Sequence, residues 1–166
     1  TKILTSSFPE IEEIFGILKF ARKINVDVLE GFLSNLLNDI EDLGEKPKII
    51  HILGLAFKGE PKTSDLRDST SLAGVSYLQK NGVTVFAYDP FVDPKDKLLN
   101  CELIDQSEIG KQAQAICILN NNPSFASLDW NSIADNASLP ILYDGWGVIK
   151  DPQSKAHFKI YEQLGG

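Results

Sequence analysis

The sequence predicts an α/β fold: a parallel sheet with helices on both faces, preceded by an α-helical arm. Two observations support this. Short, wholly apolar runs such as Ile49–Leu53 and Ala115–Leu119 are typical of strands that are buried on both faces of a parallel sheet. Segments with helical periodicity or turn signals separate these runs, which is the order of a Rossmann-like, doubly wound sheet.

The arm is predicted over residues 1–46. Between Phe8 and Ile24, apolar residues recur at three- and four-residue steps, as in a helix with one apolar face. Asn25 is expected to end this helix. A second helix is predicted over residues 26–43, with Gly44 as its C-cap.

The sheet domain is predicted over residues 47–166. The expected strands are Ile49–Leu53, Val83–Tyr88, Ala115–Leu119, Leu139–Tyr143 and a short Lys159–Tyr161. The expected helices are Leu72–Gln79, Glu108–Gln114 and Leu128–Ala134. Ligands bind beyond the carboxyl ends of the strands in such sheets. The candidate functional loops are therefore 54–68, 89–95, 120–127 and 144–152.

Composition narrows the possible partners. The chain has 166 residues, enough for one domain with a sizeable core, and 16 basic against 23 acidic residues give a net charge of −7. This balance argues against nucleic acid or an acidic membrane surface as a partner. We identify no membrane span and no signal peptide, and a reducing cytoplasm is the expected compartment. The chain starts at Thr1 and contains no Met, so we expect a piece of a longer protein.

The loop after the first strand is the most informative segment. The apolar run ends in Gly54, and the following loop carries Lys58 and Arg67 before a predicted helix start. A strand, a glycine-containing loop and a helix start together are typical of an anion site. Lysine supplies a compact charge and arginine a planar fork, so the loop offers two different contacts to an anion.

The usual dinucleotide fingerprint is absent from this loop. Gly54 and Gly59 lie five positions apart with bulky residues between them, whereas the fingerprint needs three closely spaced glycines. The acidic residue after the next strand, Asp89, follows Gly54 by 35 positions, where about 20 are expected. We therefore do not expect this sheet to hold NAD by itself in the usual way.

Nucleophilic and metal chemistry also lack their usual residues. Cys117 lies within an apolar run and Cys101 at a loop edge without a neighbouring His or Lys, so both are expected to be structural. The two His and two Cys have no zinc-site spacing. The aspartates Asp65, Asp68 and Asp89 are scattered, and turn or cap roles explain Asp68 and Asp89 more simply than Mg²⁺ binding.

Residues 54–69, GLAFKGEPKTSDLRDS, resemble the strand–loop signature of the UDP-glucose/GDP-mannose dehydrogenase family, specifically of its C-terminal domain. Other segments are similar to that domain in the same order. They are ARKIN at 21–25, GVTVFAYDP at 82–90, NNNPSFASLDW at 120–130 and the Asp-Gly pair at 144–145. The combination is specific, although each piece alone is weak.

The resemblance implies a role in nucleotide-sugar oxidation. Family enzymes convert a sugar's primary alcohol to a carboxylate in two NAD-dependent steps through a cysteine thioester. The resemblance places Lys58 at the nucleotide phosphate of the substrate, Arg67 against the NAD pyrophosphate, and Trp146 where it can stack on the base. It implies as partners a UDP-sugar, an N-terminal NAD domain that holds most of the cofactor, and a second copy in a homodimer or higher oligomer.

The sequence also departs from the family pattern. Lys58 and Arg67 are nine residues apart, about two more than usual, and this longer GxPxT variant resembles a subgroup acting on acetamido-sugar nucleotides. Asn122 replaces a His, and Trp146 replaces the Arg of an Asp-Gly-Arg turn. The thioester Cys loop and the GxGxxG domain are not in this sequence, so no catalytic residue is assigned and the chain alone is expected to be inactive.

Simpler interpretations stand beside these assignments. Lys58 would otherwise be a solvated loop lysine, Arg67 the partner of Asp65 or Asp68, and Trp146 an apolar plug between the last strand and a helix. The alternative function is a non-catalytic nucleotide-binding or oligomerisation module that has lost dehydrogenase chemistry.

Overall fold

The structure, a computed structural model, describes residues 9–164, with side chains from residue 16 onward. Phe8, where the first helix is predicted to begin, lies outside this range. The helices are α1 (Pro9–Asp42), α2 (Thr70–Lys80), α3 (Trp130–Asn136) and α4 (Pro152–Ala156). The strands are β1 (Ile49–Leu53), β2 (Thr84–Tyr88), β3 (Glu102–Leu103), β4 (Ala115–Ile118), β5 (Ile141–Asp144) and β6 (Ile160–Gln163). Two 3₁₀ helices cover Gln106–Glu108 and Pro123–Ser127.

All six strands are parallel and lie in the order β3-β2-β1-β4-β5-β6. The chain runs outward from β1 to one edge and then returns to β4 on the other side of β1. The direction of winding therefore reverses between β1 and β4, which is where doubly wound folds bind their ligands. The predicted parallel, Rossmann-like sheet is confirmed.

Helices cover both faces of the sheet, as predicted. Along β1, Ile50 and Ile52 belong to the core beneath α1 and α2, whereas Leu53 belongs to the core beneath α3. His51 is buried and accepts a hydrogen bond at Nδ1 from the Gly110 backbone N–H at 3.2 Å. This alternation follows from the two-residue period of a strand.

The arm is one continuous helix, so the prediction of two helices separated by Asn25 is wrong. Asparagine in a helix interior is less favourable than alanine by only about 0.7 kcal/mol, which neighbouring turns can offset. The Asn25 side chain is exposed. An ion pair between Lys23 and Asp27, with Nζ 2.8 Å from Oδ2, spans the same turn.

Helix α1 is much longer than the sheet is deep. Its 34 residues span about 50 Å, against about 17 Å for a five-residue strand. The second half packs on the sheet, with Tyr143 of β5 donating a hydrogen bond to Asp39 Oδ2 at 2.6 Å. The first half extends past the carboxyl edge and exposes apolar side chains at Ile17, Leu18, Phe20 and Ile24. The division of the chain at residue 47 stays a prediction.

The helix predicted over Glu108–Gln114 is also wrong. Only the 3₁₀ turn Gln106–Glu108 forms there. Gly110 and Gln112 adopt positive φ angles of 88° and 62°, which a right-handed helix does not contain. The sequence interpretation also missed β3, which is two residues long, and α4, which begins with Asp151 as N-cap and Pro152 in the first turn.

Candidate functional site

Three loops meet at the carboxyl edge of the sheet. They follow β1 (residues 54–69), β4 (119–122) and β5 (145–149). Lys58 and Arg67 lie in the first loop and Trp146 in the third, as predicted. The middle loop overlaps the candidate loop predicted over residues 120–127, and its asparagine side chains hold the first loop in place.

The loop after β1 lies directly on the loop after β4. A Cβ at Gly54, whose φ is +90°, would lie 2.3 Å from side-chain atoms of Asn120. A Cβ at Gly59 would lie 2.1 Å from the backbone nitrogen of Asn122. The two glycines therefore allow close packing between loops.

Asn120 and Asn121 hold this packing with their side chains. Asn120 Nδ2 donates to the Ala56 carbonyl at 3.3 Å. Asn121 Oδ1 accepts hydrogen bonds from the backbone N–H groups of Gly59 and Glu60 at 2.8 and 3.2 Å. The run of three asparagines directly after a strand at the reversal point was the available signal for this role.

Asn122, which the resemblance places where a histidine is expected, is fully buried. Its Oδ1 accepts hydrogen bonds from the backbone N–H and the hydroxyl of Ser124, at 3.0 and 2.8 Å, and thereby caps the Pro123–Ser127 helix. Its Nδ2 has no hydrogen-bond partner within the described residues. The amide oxygen of Asn122 therefore acts as a helix cap.

Asp89 closes the same edge from the end of β2. Its buried carboxylate accepts hydrogen bonds at Oδ2 from the N–H groups of Leu55 and Ala56, at 2.9 and 3.0 Å. Its Oδ1 accepts from Phe91 N–H at 3.0 Å. In a dinucleotide fold, an acidic residue at the end of this strand binds the cofactor ribose. Here the carboxylate already accepts hydrogen bonds from the backbone, and the Asn120 side chain fills the space beside Gly54. This position therefore does not fit NAD.

Lys58 lies on the exposed part of the loop. Its ammonium group makes no hydrogen bond or ion pair with the residues that the structure describes. The neighbouring Phe57 is 58% exposed, and its backbone N–H donates to the Asp65 carbonyl at 2.8 Å. Lys62, four positions further on, instead places its ammonium over the ring of Phe91 at 5.2 Å. Lys58 is therefore available to an external anion.

Arg67 is paired within its own loop. Its Nε and Nη2 donate to Asp65 Oδ1 and Oδ2 at 2.9 and 2.7 Å, and its side chain is 81% exposed. Hydrogen bonds from Arg67 lower the pKa of Asp65 to about 2. Asp68 instead pairs with Arg22 of α1. The pair with Asp65 is the simpler interpretation of Arg67, and exposed pairs of this kind contribute little to the stability of a fold.

Trp146 is fixed at one edge and open on its face. Its Nε1–H donates to the Leu119 carbonyl at 3.0 Å, while 57% of the residue is exposed. Its backbone N–H donates to Asp144 Oδ1 at 3.2 Å. The buried Asp144 also accepts hydrogen bonds at Oδ2 from Ile149 N–H and the Tyr161 hydroxyl, at 2.9 and 3.1 Å. The turn is therefore rigid.

A groove of about 410 Å³ lies between Trp146 and helix α1. Its lining is mostly apolar: Val28, Leu29, Phe32, Leu119, Trp146 and Leu164, with Asn25, Thr70 and Gly145. No described hydrogen bond joins Trp146 to Lys58 or Arg67. Lys58 and Arg67 are connected indirectly: Phe57, next to Lys58, donates its backbone N–H to the carbonyl of Asp65, and Asp65 pairs with Arg67.

Neither thiol is suited to nucleophilic chemistry. Burial raises the pKa of Cys101 to about 11 and raises that of Cys117 further. A thiolate is the reactive form, so both are inert at neutral pH. Across residues 9–164, no group of three or more His, Cys, Asp or Glu side chains is placed to hold a metal ion. Within the same part of the chain, no helix is long and apolar enough to cross a membrane.

The fold and the loops define a class: a Rossmann-like domain in which side chains of the protein fill the usual dinucleotide position. Its two loop cations, Lys58 and Arg67, lie on the exposed surface of the same edge. The chain belongs to the UDP-glucose/GDP-mannose dehydrogenase family. The family model for its UDP binding domain matches residues 51–151. The resemblance seen in the sequence is confirmed.

Individual relatives support this membership. The chain is 34% identical over 144 residues to a UDP-N-acetyl-D-mannosamine dehydrogenase from Pyrococcus horikoshii, covering 85% of this chain and 32% of the relative. It is 32% identical over 120 residues to a UDP-glucose 6-dehydrogenase from Rhizobium meliloti, covering 70% and 27%. A solved structure of the UDP-D-ManNAc dehydrogenase from P. horikoshii superposes with a TM-score of 0.73 at 30% identity, covering 90% and 34%. The chain spans about a third of these relatives.

Proposed function

We propose that this chain is the nucleotide-sugar-binding C-terminal part of an NAD-dependent UDP-sugar 6-dehydrogenase. Such an enzyme oxidises the sugar's primary alcohol to a carboxylate, for polysaccharide precursor synthesis in the cytoplasm. The single observation that supports this best is Lys58, a cation without a partner among the described residues, which lies at the carboxyl edge of a domain matched by a family model for UDP binding. Its partners in this proposal are an N-terminal NAD domain and a second subunit.

Lys58 and Trp146 are proposed to bind the substrate. A lysine ammonium is a compact charge suited to a phosphate oxygen, and Lys58 has no described partner that would compete with it. Trp146 presents an aromatic face on a rigid turn beside an apolar groove, which suits stacking on a uracil ring. It replaces an arginine, so we propose that base stacking compensates for a lost phosphate contact.

Arg67 is proposed to reach the pyrophosphate of NAD across the cleft to the N-terminal domain. NAD accepts hydride in each of the two oxidation steps. In this proposal the chain supplies none of the reacting groups, since Cys117 is buried, Cys101 is half-buried, and burial raises the pKa of both thiols. We therefore expect no NADH when the chain is incubated with UDP-sugars and NAD, and NADH formation would refute this part of the proposal.

A UDP titration by calorimetry tests the substrate site. We expect weak, saturable binding that Lys58→Ala abolishes and Lys62→Ala retains, because Lys62 lies in the same loop but contacts Phe91. Equal loss in both variants would indicate general loop charge and contradict the assignment. Repeating the titration with UDP-N-acetylmannosamine and UDP-glucose identifies the preferred sugar.

The second candidate is a non-catalytic oligomerisation module. The exposed apolar residues Ile17, Phe20 and Ile24 along α1 favour it, since such a stripe is typical of a helix that packs on a partner. No UDP binding even at millimolar concentration, together with a dimer in sedimentation that the double variant Ile17→Ser, Phe20→Ser dissociates, would favour this module.

A further inference from the structure

We propose that Asp65 is a positioning residue for Arg67: it holds the guanidinium by one edge so that the opposite edge presents a bidentate site to a diphosphate. The inference rests on the proposed function, in which Arg67 contacts the NAD pyrophosphate. Asp65 itself does not touch the cofactor in this arrangement.

Asp65 is anchored within the loop. Its backbone N–H donates to Thr63 Oγ1 at 3.1 Å, and its carbonyl accepts from Phe57 N–H at 2.8 Å. Its Oδ1 also accepts from the backbone N–H of Arg67 at 2.9 Å. The carboxylate therefore has a defined position before it meets the guanidinium, and that position is tied to the residue preceding Lys58.

The pairing uses only part of the guanidinium. Nε and Nη2 each give one hydrogen to Asp65, at 2.9 and 2.7 Å. Both hydrogens of Nη1 and the second hydrogen of Nη2 remain free, and together they form the second fork of an arginine side chain. A diphosphate presents paired oxygens that match such a fork. The contact to Asp65 thus selects which edge faces outward.

Electrostatics and positioning predict opposite effects of removing the Asp65 charge. An anion next to Arg67 repels a diphosphate, so charge alone predicts tighter binding after Asp65→Asn. Arginine has large rotamer freedom, so loss of the anchor predicts weaker binding. Weaker binding on removal of a negative charge is therefore a diagnostic result. A residue that only stabilised the fold would not produce it.

The test uses the full chain and the pyrophosphate ion, titrated by calorimetry. We expect Arg67→Ala and Asp65→Asn each to weaken binding about three- to tenfold. Asp68→Asn is the matched control: it removes the same charge one residue from Arg67, its partner is Arg22, and asparagine tolerates the φ of 60° there. We expect it to bind equally or more tightly.

The Arg67 side-chain Nε–H signal in ¹⁵N NMR supplies an independent measurement. We expect a resolved signal in the wild type and in Asp68→Asn, and exchange broadening in Asp65→Asn, with unchanged backbone signals elsewhere. If Arg67→Ala binds pyrophosphate like the wild type, the cofactor assignment of Arg67 fails and the inference falls with it. If Arg67→Ala weakens binding and Asp65→Asn does not, only the positioning role is overturned.

Discussion

The carboxyl edge of the sheet has an interior, formed by Asp89 and Asn120, and a rim, formed by Lys58 and Trp146. The side chains of these two regions serve opposite purposes. In the interior, the side chains of Asp89 and Asn120 form hydrogen bonds with backbone groups of the loop after β1. At the rim, Lys58 has no described partner and Trp146 offers an open face. Related folds bind the cofactor in the interior position. Here that position provides rigidity, and ligand contacts are proposed only at the rim.

The largest effect is expected from opening the interior. Gly54→Ala adds a Cβ that meets Asn120 at 2.3 Å in a backbone with φ of +90°. We expect it to lower the free energy of unfolding by about 3 kcal/mol or more, measured by urea denaturation.

Gly82→Ala is the control for Gly54→Ala, because Gly82 has a similar φ of +79° but open space around it. Backbone strain alone then costs about 1–2 kcal/mol. Equal destabilisation in the two variants would show that the packing of the loop against Asn120 contributes little.

An intermediate effect on stability is expected from His51, which lies in the middle of β1. Burial lowers its pKa to about 4. Folding therefore favours the neutral imidazole, and this contribution is complete above the unfolded pKa of about 6.5 and is lost as pH falls towards 4. We expect about 3 kcal/mol of stability to be lost over that interval, since each pKa unit corresponds to about 1.4 kcal/mol.

The measurement compares urea midpoints at neutral pH and near pH 4 for the wild type and His51→Asn, in which an amide oxygen can replace the Nδ1 acceptor. The variant should show a shallower decline. His157→Asn, at an exposed histidine, should follow the wild type. Parallel curves for all three proteins would contradict the role of His51.

The smallest effect is expected at the rim. Trp146→Ala should weaken UDP binding by about 1 kcal/mol, since base stacking on an aromatic ring contributes about 1–3 kcal/mol. Trp146→Phe keeps a ring but loses the hydrogen bond to Leu119, so its affinity for UDP should lie between those of the wild type and Trp146→Ala. The unfolding midpoint should barely move. A larger change in stability than in UDP affinity would identify Trp146 as an apolar plug.

Local sequence patterns predicted β1 and β4 well because each is a buried, mostly apolar run with clear ends. They failed at Asn25, whose weak effect on a helix is overridden by its neighbours. They failed again after Glu108, where the backbone is left-handed at Gly110 and at Gln112, a residue type that does not signal this conformation. The two residues of β3 are too few to show a period.

The site was predicted in part. Lys58, Arg67 and Trp146 lie on loops at the expected edge, and the pairing of Arg67 with Asp65 was among the interpretations considered because the two are close in sequence. The bonds of Asp89 to Leu55 and of Asn120 to Ala56 join residues 34 and 64 positions apart. No local pattern indicates such contacts, so the closed interior emerged only from the structure.

The bonds between the two loops also bear on the entropy of binding. Asn121 holds the backbone on either side of the Gly59–Glu60 bond, and Asp89 holds the residues just before Phe57. In a flexible loop, each residue that a ligand orders costs about 1–2 kcal/mol of conformational entropy. Here folding has already ordered the backbone around Lys58. An anion that meets this lysine therefore restricts little more than four side-chain torsions.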